Sequence, residues 1–412
     1  MKRIALVFGL LVAIAVVHGA DTKPPQTKPA KDPKASIVFF DAEQAGADYA
    51  LQGEYEGLGG GAQKWGAQVI ALGDAKFHAS FFYGGLPGDG WTAEPNKASD
   101  PDGKIRYESE GQLDGSTVTF HGVGKVAFGG GGHFPPPHVE VDKGFDATLT
   151  GDTLTFKVPG ASGDDSVTVK KTLRHSPAEG AKPPADAIIL FDGSNVDAWK
   201  GTKIIEDGPF KGLMKEGGES KQKFTDYTLH VEFVLPFKPF ARNQERGNSG
   251  VYNQHRYEIQ VLDTFGLMGM DNECGGVYTK SPPMVNMCYP PLTWQTYDIE
   301  FAAARYDNGA KTSDAIVTVT HNGVLIQDHS KSTAPPAAGK KKSPPRPSNP
   351  GPFICRNTVI LYSIGMYGLW RRNRERGDRI RGLARLVLQL GAGGNFYPCR
   401  VISCQIIFAI SS

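Results

Sequence analysis

Cysteine is nearly absent from the body of this chain: of five in 412 residues, only Cys274 and Cys288 precede residue 353. No CxxC pair and no cysteine/histidine cluster occurs, so the spacings that build a structural zinc site are missing. Two thiols in so poor a background leave two readings. They form a disulfide if the protein works in an oxidising compartment, or they are two buried free thiols. Long apolar runs are just as scarce. The one candidate lies in MKRIALVFGLLVAIAVVHGA, whose basic start, apolar middle and small final residues fit a secretory signal cut near Gly19 or Ala20. An uncleaved anchor is the alternative, but the run is short for a full span. A secreted or periplasmic protein without a stable membrane span after signal removal is expected. A basic excess is missing too. The formal net charge of +2 hides a split: nine of the 45 Lys and Arg residues, all Arg, lie after residue 352 with only Glu375 and Asp378 against them. The other 352 residues hold 36 basic and 41 acidic side chains, which gives no footprint for nucleic acid. Nothing in the sequence fixes an oligomeric state.

Fifty-one glycines and 29 prolines mean frequent turns and short strands. A Pro/Lys-rich tether, residues 21–35, follows the signal of residues 1–20. Residues 36–173 then alternate β-type runs with turns: WGAQVIAL and KFHASFFY around GDA, KIRYESEG and STVTF around a QLDG turn, FDATL and TLTFKV around TGD. No helix of useful length is apparent. A smaller antiparallel meander closed into a barrel or sandwich is expected. Two Gly-rich stretches, LGGGAQKWG and FGGGGHFPPPH, lack both the Lys-Ser/Thr pair and the following helix of a phosphate loop. They read as plain loops. Residues 174–186 form a second linker. Residues 187–352 again read as strands, with HNGV as an Asn-Gly hairpin turn. Several such strands joined by Gly/Pro-rich loops argue for two antiparallel sheets face to face, so the fold class is all-β.

The informative segment is RYEIQVLD. Along a strand, successive side chains point to opposite faces, so Tyr257, Ile259 and Val261 share one and Glu258, Gln260 and Leu262 the other. A carboxylate and a carboxamide on one strand face are costly if buried without partners, which suggests a wet cleft. A plain solvent-facing polar pair is the alternative. ERGNSGVYNQH upstream supplies Arg246, Asn248, Ser249 and His255, with Gly247 and Gly250 allowing close approach of backbone to a ligand. VYTKSPP adds Tyr278 and Lys280, and PLTWQTYD adds Trp294 and Tyr297. Polar edges with flat aromatic faces suit a sugar. Trp294 opening a strand also fits a core position, Asp263 at a strand end also fits a turn cap, and His255 a loop. Glu258, Asp263 and His255 offer ligands for a divalent metal ion, though no spacing demands one.

FDGSNVDAWKG, FTDYTLHVEFVLP, GNSGVY, YEIQVLD, GGVYTKSPP, WQTYDIEF and HNGV stand in the order seen in one family. Residues Asp186 to Pro352 resemble the 3-keto-disaccharide hydrolase-like domain, also described as 3-keto-α-glucoside-1,2-lyase/3-keto-2-hydroxy-glucal hydratase. The resemblance implies a concanavalin A-like jelly-roll sandwich and a 3-keto-glycoside as substrate. It implies removal of the C2 proton, elimination at C1 and hydration, a net hydrolysis. In that chemistry Glu258 would be the base or a metal ligand. Gln260 and Asn248 would donate hydrogen bonds to sugar or enolate, while Arg246, Tyr278 and Lys280 would polarise or protonate. Ser249 and Trp294 complete the expected substrate-binding set. A non-catalytic carbohydrate-binding jelly-roll module is the alternative, since one scaffold serves both uses; a surface adhesion or structural protein is a third.

The same resemblance makes the end of the chain anomalous. Family members close with a strand resembling GPIxLQDHGNPVRYRNIW, whereas this chain has GPF followed by ICRNTVILYSIGMYGLW and an Arg-rich run. With permitted synonymous codons, the frame shifted by one base reads YLQEHGNPVQYRNVWLV across that stretch. Residues 353–412 are therefore expected to be an out-of-frame translation, with a basic, partly amphipathic tail for a membrane or nucleic-acid surface as the competing reading. The gene settles this: its bases after codon 352 should permit the shifted reading, and codons incompatible with it would remove the idea.

Overall fold

A computed structural model describes residues 33–59, 62–91, 105–124, 132–133, 139–158, 166–215, 217–308 and 310–332, together with the backbone of 354–355 and 361–365. The expected signal and nearly all of the tether lie outside the described residues, as does most of the tail. Among the described residues no helix is long and apolar enough to cross a membrane.

The first unit opens with a helix, α1 (Ala42–Leu51), which the strand-dominated sequence reading did not anticipate. Its start is local chemistry: the Asp41 carboxylate accepts from the N–H groups of Glu43 and Gln44, satisfying donors that the first helical turn leaves open. Then come β1 (Gly53–Leu58), β2 (Lys64–Gly73), β3 (Lys76–Tyr83), the short β4 (Leu86–Pro87) and β5 (Gly90–Trp91), β6 (Ile105–Asp114), β7 (Thr117–Val123), β8 (Glu140–Lys143), β9 (Ala147–Thr150), β10 (Thr153–Lys157) and β11 (Ser166–Thr172). The sheet runs β3-β2-β1-β11-β10-β9-β7-β6, and β6 pairs back onto β3. It therefore closes as an antiparallel barrel, with β8 added parallel to β6. Closure removes the open edges that an isolated meander would expose. Trp65, Ala67, Val69, Phe77, Phe81, Phe120, Leu149 and Phe156 fill the interior.

The second unit contains β12 (Trp199–Lys200), β13 (Glu219–Ser220), β14 (Tyr227–Val234), β15 (Ser249–Asn253), β16 (Tyr257–Val261), β17 (Trp294–Ala302), β18 (Arg305–Asp307), β19 (Ala310–Ser313), β20 (Ala315–His321) and β21 (Val324–Ser332). Backbone strands β22 (Ile354–Cys355) and β23 (Leu361–Gly365) complete two sheets, ordered β12-β13-β22-β15-β16 and β21-β20-β17-β14-β23. Tyr227, Leu229, Val231 and Phe233 of β14, with Tyr297, Ile299 and Phe301 of β17, meet Val251, Tyr257, Ile259 and Val261 of the facing sheet. The units thus form a barrel and a β-sandwich. The β20–β21 hairpin turns at Asn322 and Gly323, both at positive φ, as its Asn-Gly sequence predicts. Backbone from the anomalous tail pairs with β13, β15 and β14, so those positions are not left as open edges. Ladder hydrogen bonds need only N–H and C=O groups, which almost any sequence supplies.

Cys274 and Cys288 are buried free thiols, which corrects the disulfide expectation. The two thiols interact with each other, and each has a further partner: Cys274 Sγ lies 3.0 Å from the Tyr297 hydroxyl and Cys288 Sγ donates to the Leu262 carbonyl. Trp294 is also corrected as a substrate platform. It opens β17 opposite Val234 and packs with Leu213, Phe210 and Phe40 on the outer face of the sheet that does not carry Glu258.

Residues of the second linker are held against that same outer face. The Gly180 N–H donates to Glu232 Oε1 at 2.8 Å, and Ser176 meets Thr296 at 2.6 Å. Behind them His230 lies between Asp298 (2.6 Å) and Glu232 (3.2 Å). Burial alone would push the imidazole down, but the two carboxylates outweigh it and raise it to about 9. Because the folded value lies above the unfolded 6.5, the charged ring stabilises the fold fully below that pH and stops doing so as pH rises through about 9. The wild type should lose about 3 kcal/mol between these limits. Denaturant titrations should show the step in the wild type and not in His230→Gln; a flat wild-type profile would contradict the assignment.

Candidate functional site

The site is built on β16. Tyr257, Ile259 and Val261 enter the sandwich core, which leaves Glu258 and Gln260 on the outer face, as strand alternation requires. Antiparallel pairing with β15 sets Tyr252 opposite Glu258 and Gly250 opposite Gln260. The Tyr252 hydroxyl donates to Glu258 Oε2 at 2.6 Å. Gly250 is needed for space: a Cβ built there would collide with Glu258 Oε1. Two loops lie over this face. One precedes β15. The other, after β16, runs along the free edge of that strand, with Gln260 N–H donating to Gly276 O and Tyr278 N–H to Glu258 O.

Gln244, from the first loop, is the hub. Its Oε1 accepts from Gln260 Nε2 (2.9 Å) and Asn248 Nδ2 (3.0 Å), and its Nε2 donates to the Asn272 carbonyl (2.9 Å). Asn248 Nδ2 also reaches Gln244 O, and Gln260 Nε2 also reaches Asn272 O. An amide nitrogen has two hydrogens, so both donors are spent. Asn248 and Gln260 are therefore not hydrogen-bond donors to a ligand, contrary to expectation. What remains open is acceptor capacity: Asn248 Oδ1 and Asn272 Oδ1 are buried without a partner among the described residues. So is Arg246 Nη1. The rest of the Arg246 guanidinium is committed to Asp263, at 3.1 Å from Nε and 2.8 Å from Nη2, in a pair that is almost wholly buried. Asp263 also accepts from the Phe265 N–H, so it holds a turn as well as an arginine.

Other expected members fall elsewhere. Ser249 shares the side of β15 that carries Val251 and Asn253, towards the sandwich interior, so alternation takes it off the site face. Tyr278 and Lys280 are half-buried on the loop beside β16, where their backbone N–H groups donate to Glu258 O and Val277 O. The metal set Glu258, Asp263 and His255 is not assembled. Asp263 serves Arg246, His255 turns towards Glu219 at 3.6 Å, and no group of three such ligands occurs among the described residues. The face is also deeper than an open cleft. Glu258 is 3% exposed and Gln260 0%, while Gln244, Asn248 and Tyr252 form a half-exposed rim. Gln244, Tyr252 and Asn272 were missed in the sequence. Tyr252 was within reach of strand periodicity; Gln244 and Asn272 sit in loops whose course only the fold reveals.

This is an all-β protein with a buried polar layer on one sheet of a sandwich. Residues 186–355 match the family model of the 3-keto-alpha-glucoside-1,2-lyase-like domain, the family that the sequence motifs suggested. The match supports a carbohydrate-active function for this part of the chain. No curated protein matches. Two crystal structures from Parabacteroides distasonis ATCC 8503, both described as candidate glycosyl hydrolases, are similar to it. One is 27% identical and covers 43% of this chain and 84% of its own, with a TM-score of 0.38. The other is 15% identical and covers 46% and 94%, with a TM-score of 0.28.

Gly250→Ala should force the Glu258 carboxylate from its place beside Tyr252 and destabilise the fold by about 1–3 kcal/mol, as overpacking does. Chemical denaturation checks this, and an unchanged midpoint would mean that the carboxylate is not fixed as described.

Proposed function

We propose that the exported sandwich acts on 3-keto-glycosides, with Glu258 as the base that takes the C2 proton. The observation that carries this reading is the position of Glu258. It is a carboxylate held by Tyr252 above a glycine, on the face where Asn248 Oδ1 is buried without a partner among the described residues. A C3 ketone makes the C2 hydrogen acidic because the carbanion delocalises as an enolate. A fixed carboxylate can remove that proton, after which the C1–O bond breaks and water adds to the unsaturated sugar. Asn248 Oδ1 and Asn272 Oδ1 would accept from sugar hydroxyls. Arg246 Nη1 is the buried N–H group available to developing negative charge, with Lys280 and Tyr278 at the rim as proton donors to the leaving oxygen. The concanavalin-like winding of the sheets belongs to the same proposal. So does the frame shift after Pro352, which would deprive this chain of the family's terminal histidine.

A second reading, a non-catalytic carbohydrate-binding module, draws on the near-complete burial of Glu258. Incubation with a 3-keto-glucoside separates the two, for the chain as written and for one carrying the shifted reading after Pro352. Release of aglycone means enzyme, and saturable binding without release means module. In whichever form turns over, Glu258→Gln should lower kcat by about 10²–10⁴-fold with an unchanged circular dichroism spectrum. Unaltered turnover would refute the base assignment.

A further inference from the structure

The barrel touches the site's loop through a buried ionic cluster. On the outer face of β3 and β6, Glu108 accepts from Arg106 Nε at 2.5 Å and from Ser80 Oγ at 2.9 Å, and it contacts His78 Nε2. The remaining Arg106 nitrogens also reach the sandwich, Nη2 donating as well to Ser80 Oγ at 2.7 Å. Nη1 donates to the Leu267 carbonyl at 2.7 Å and Nη2 to the Gly266 carbonyl at 2.6 Å. All four side chains are at most 2% exposed. Buried ion pairs contribute little net stability compared with apolar packing, and an apolar face would have joined two units as well. What the guanidinium adds is geometry: a planar fork of donors that fits two successive carbonyls in one orientation.

The segment so held is the one on which the site depends. It begins at Asp263, the partner of Arg246, and passes Gly266 at φ +71°, where an added Cβ would strike Ile70 of the barrel. It runs on through Asn272, whose carbonyl receives Gln244 and Gln260, to Gly276, whose carbonyl accepts from the Gln260 N–H. A second contact from the barrel reaches the same stretch, the His133 N–H donating to the buried Asp271 carboxylate at 2.6 Å. We propose that the barrel is a positioning domain for the sandwich site, and that Arg106 is the positioning residue that fixes the loop from Asp263 to Gly276. The proposal rests on the reading of this face as the active site, but its first test does not need turnover.

Hydrogen exchange on the full chain supplies that test. In Arg106→Met/Glu108→Gln, which removes both charges together, the hydrogen-bonded amides of Leu267, Gly269, Met270 and Gly275 should exchange about tenfold faster or more while the barrel core stays protected. Arg106→Lys, which keeps the charge and loses the fork, should show the same pattern and covers the case in which the double variant does not fold. Arg174→Met is the control. Arg174 joins barrel Glu54 and stacks on sandwich Tyr289 without touching this loop, so its loss should leave these four amides unchanged. If wild type turns over a 3-keto-glucoside, Arg106→Lys should lower kcat about tenfold while Arg174→Met does not. Unchanged exchange in a folded Arg106 variant, or equal loosening in Arg174→Met, overturns the positioning role. Absence of wild-type turnover, with the exchange pattern intact, would instead count against the proposed function alone.

Discussion

Pairing between β15 and β16 is the constraint on which the rest of the structure depends. Its register sets Val251 against Ile259 in the core, and Tyr252 against Glu258 on the opposite face. A slip of one residue would exchange those faces, placing a carboxylate in the sandwich interior and an isoleucine among the amides. The apolar half of the strand therefore enforces the position of the polar half. Gly250 completes the arrangement by leaving room that any side chain would fill.

Burying that polar face is costly unless its groups are hydrogen-bonded, and most of them are. Gln244 satisfies Gln260 and Asn248, the Asn272 carbonyl takes two further donors, and Asp263 neutralises Arg246. Among the described residues, Asn248 Oδ1, Asn272 Oδ1 and Arg246 Nη1 are buried without a hydrogen-bond partner. An incompletely satisfied layer is a natural place for a polyhydroxylated ligand, whose hydroxyls both donate and accept. Loops supply most of these groups, and the barrel in turn braces one of the loops through Arg106.

Strand periodicity made the face of Glu258 and Gln260 legible, and the hairpins of both units followed from their turn residues. Helix α1 escaped notice although its Asp41 cap was visible, because Gly46 and a short length obscure any apolar period. Ser249 and Trp294 were misplaced for one reason: nearness in sequence to a functional strand says nothing about which side of that strand, or which sheet, a residue joins. Asn248 lies on the rim of the Glu258 face, but its two hydrogens are used by Gln244, a residue with no distinguishing local pattern.

Sequence alone determined the strands, the turn positions, the in-and-out alternation of β16 and the motifs that the family model matches over residues 186–355. These are local properties, carried by φ preference, side-chain period and order along the chain. Tertiary structure decided that the barrel closes through β3 and β6, that Cys274 and Cys288 are buried as free thiols with other partners, and that Asp263 serves an arginine. It also decided that Arg106 of one unit holds the loop of the other. Hydrogen bonds between residues 161 positions apart, as Arg106 and Leu267 are, depend on how loops cross, and no local preference encodes that crossing.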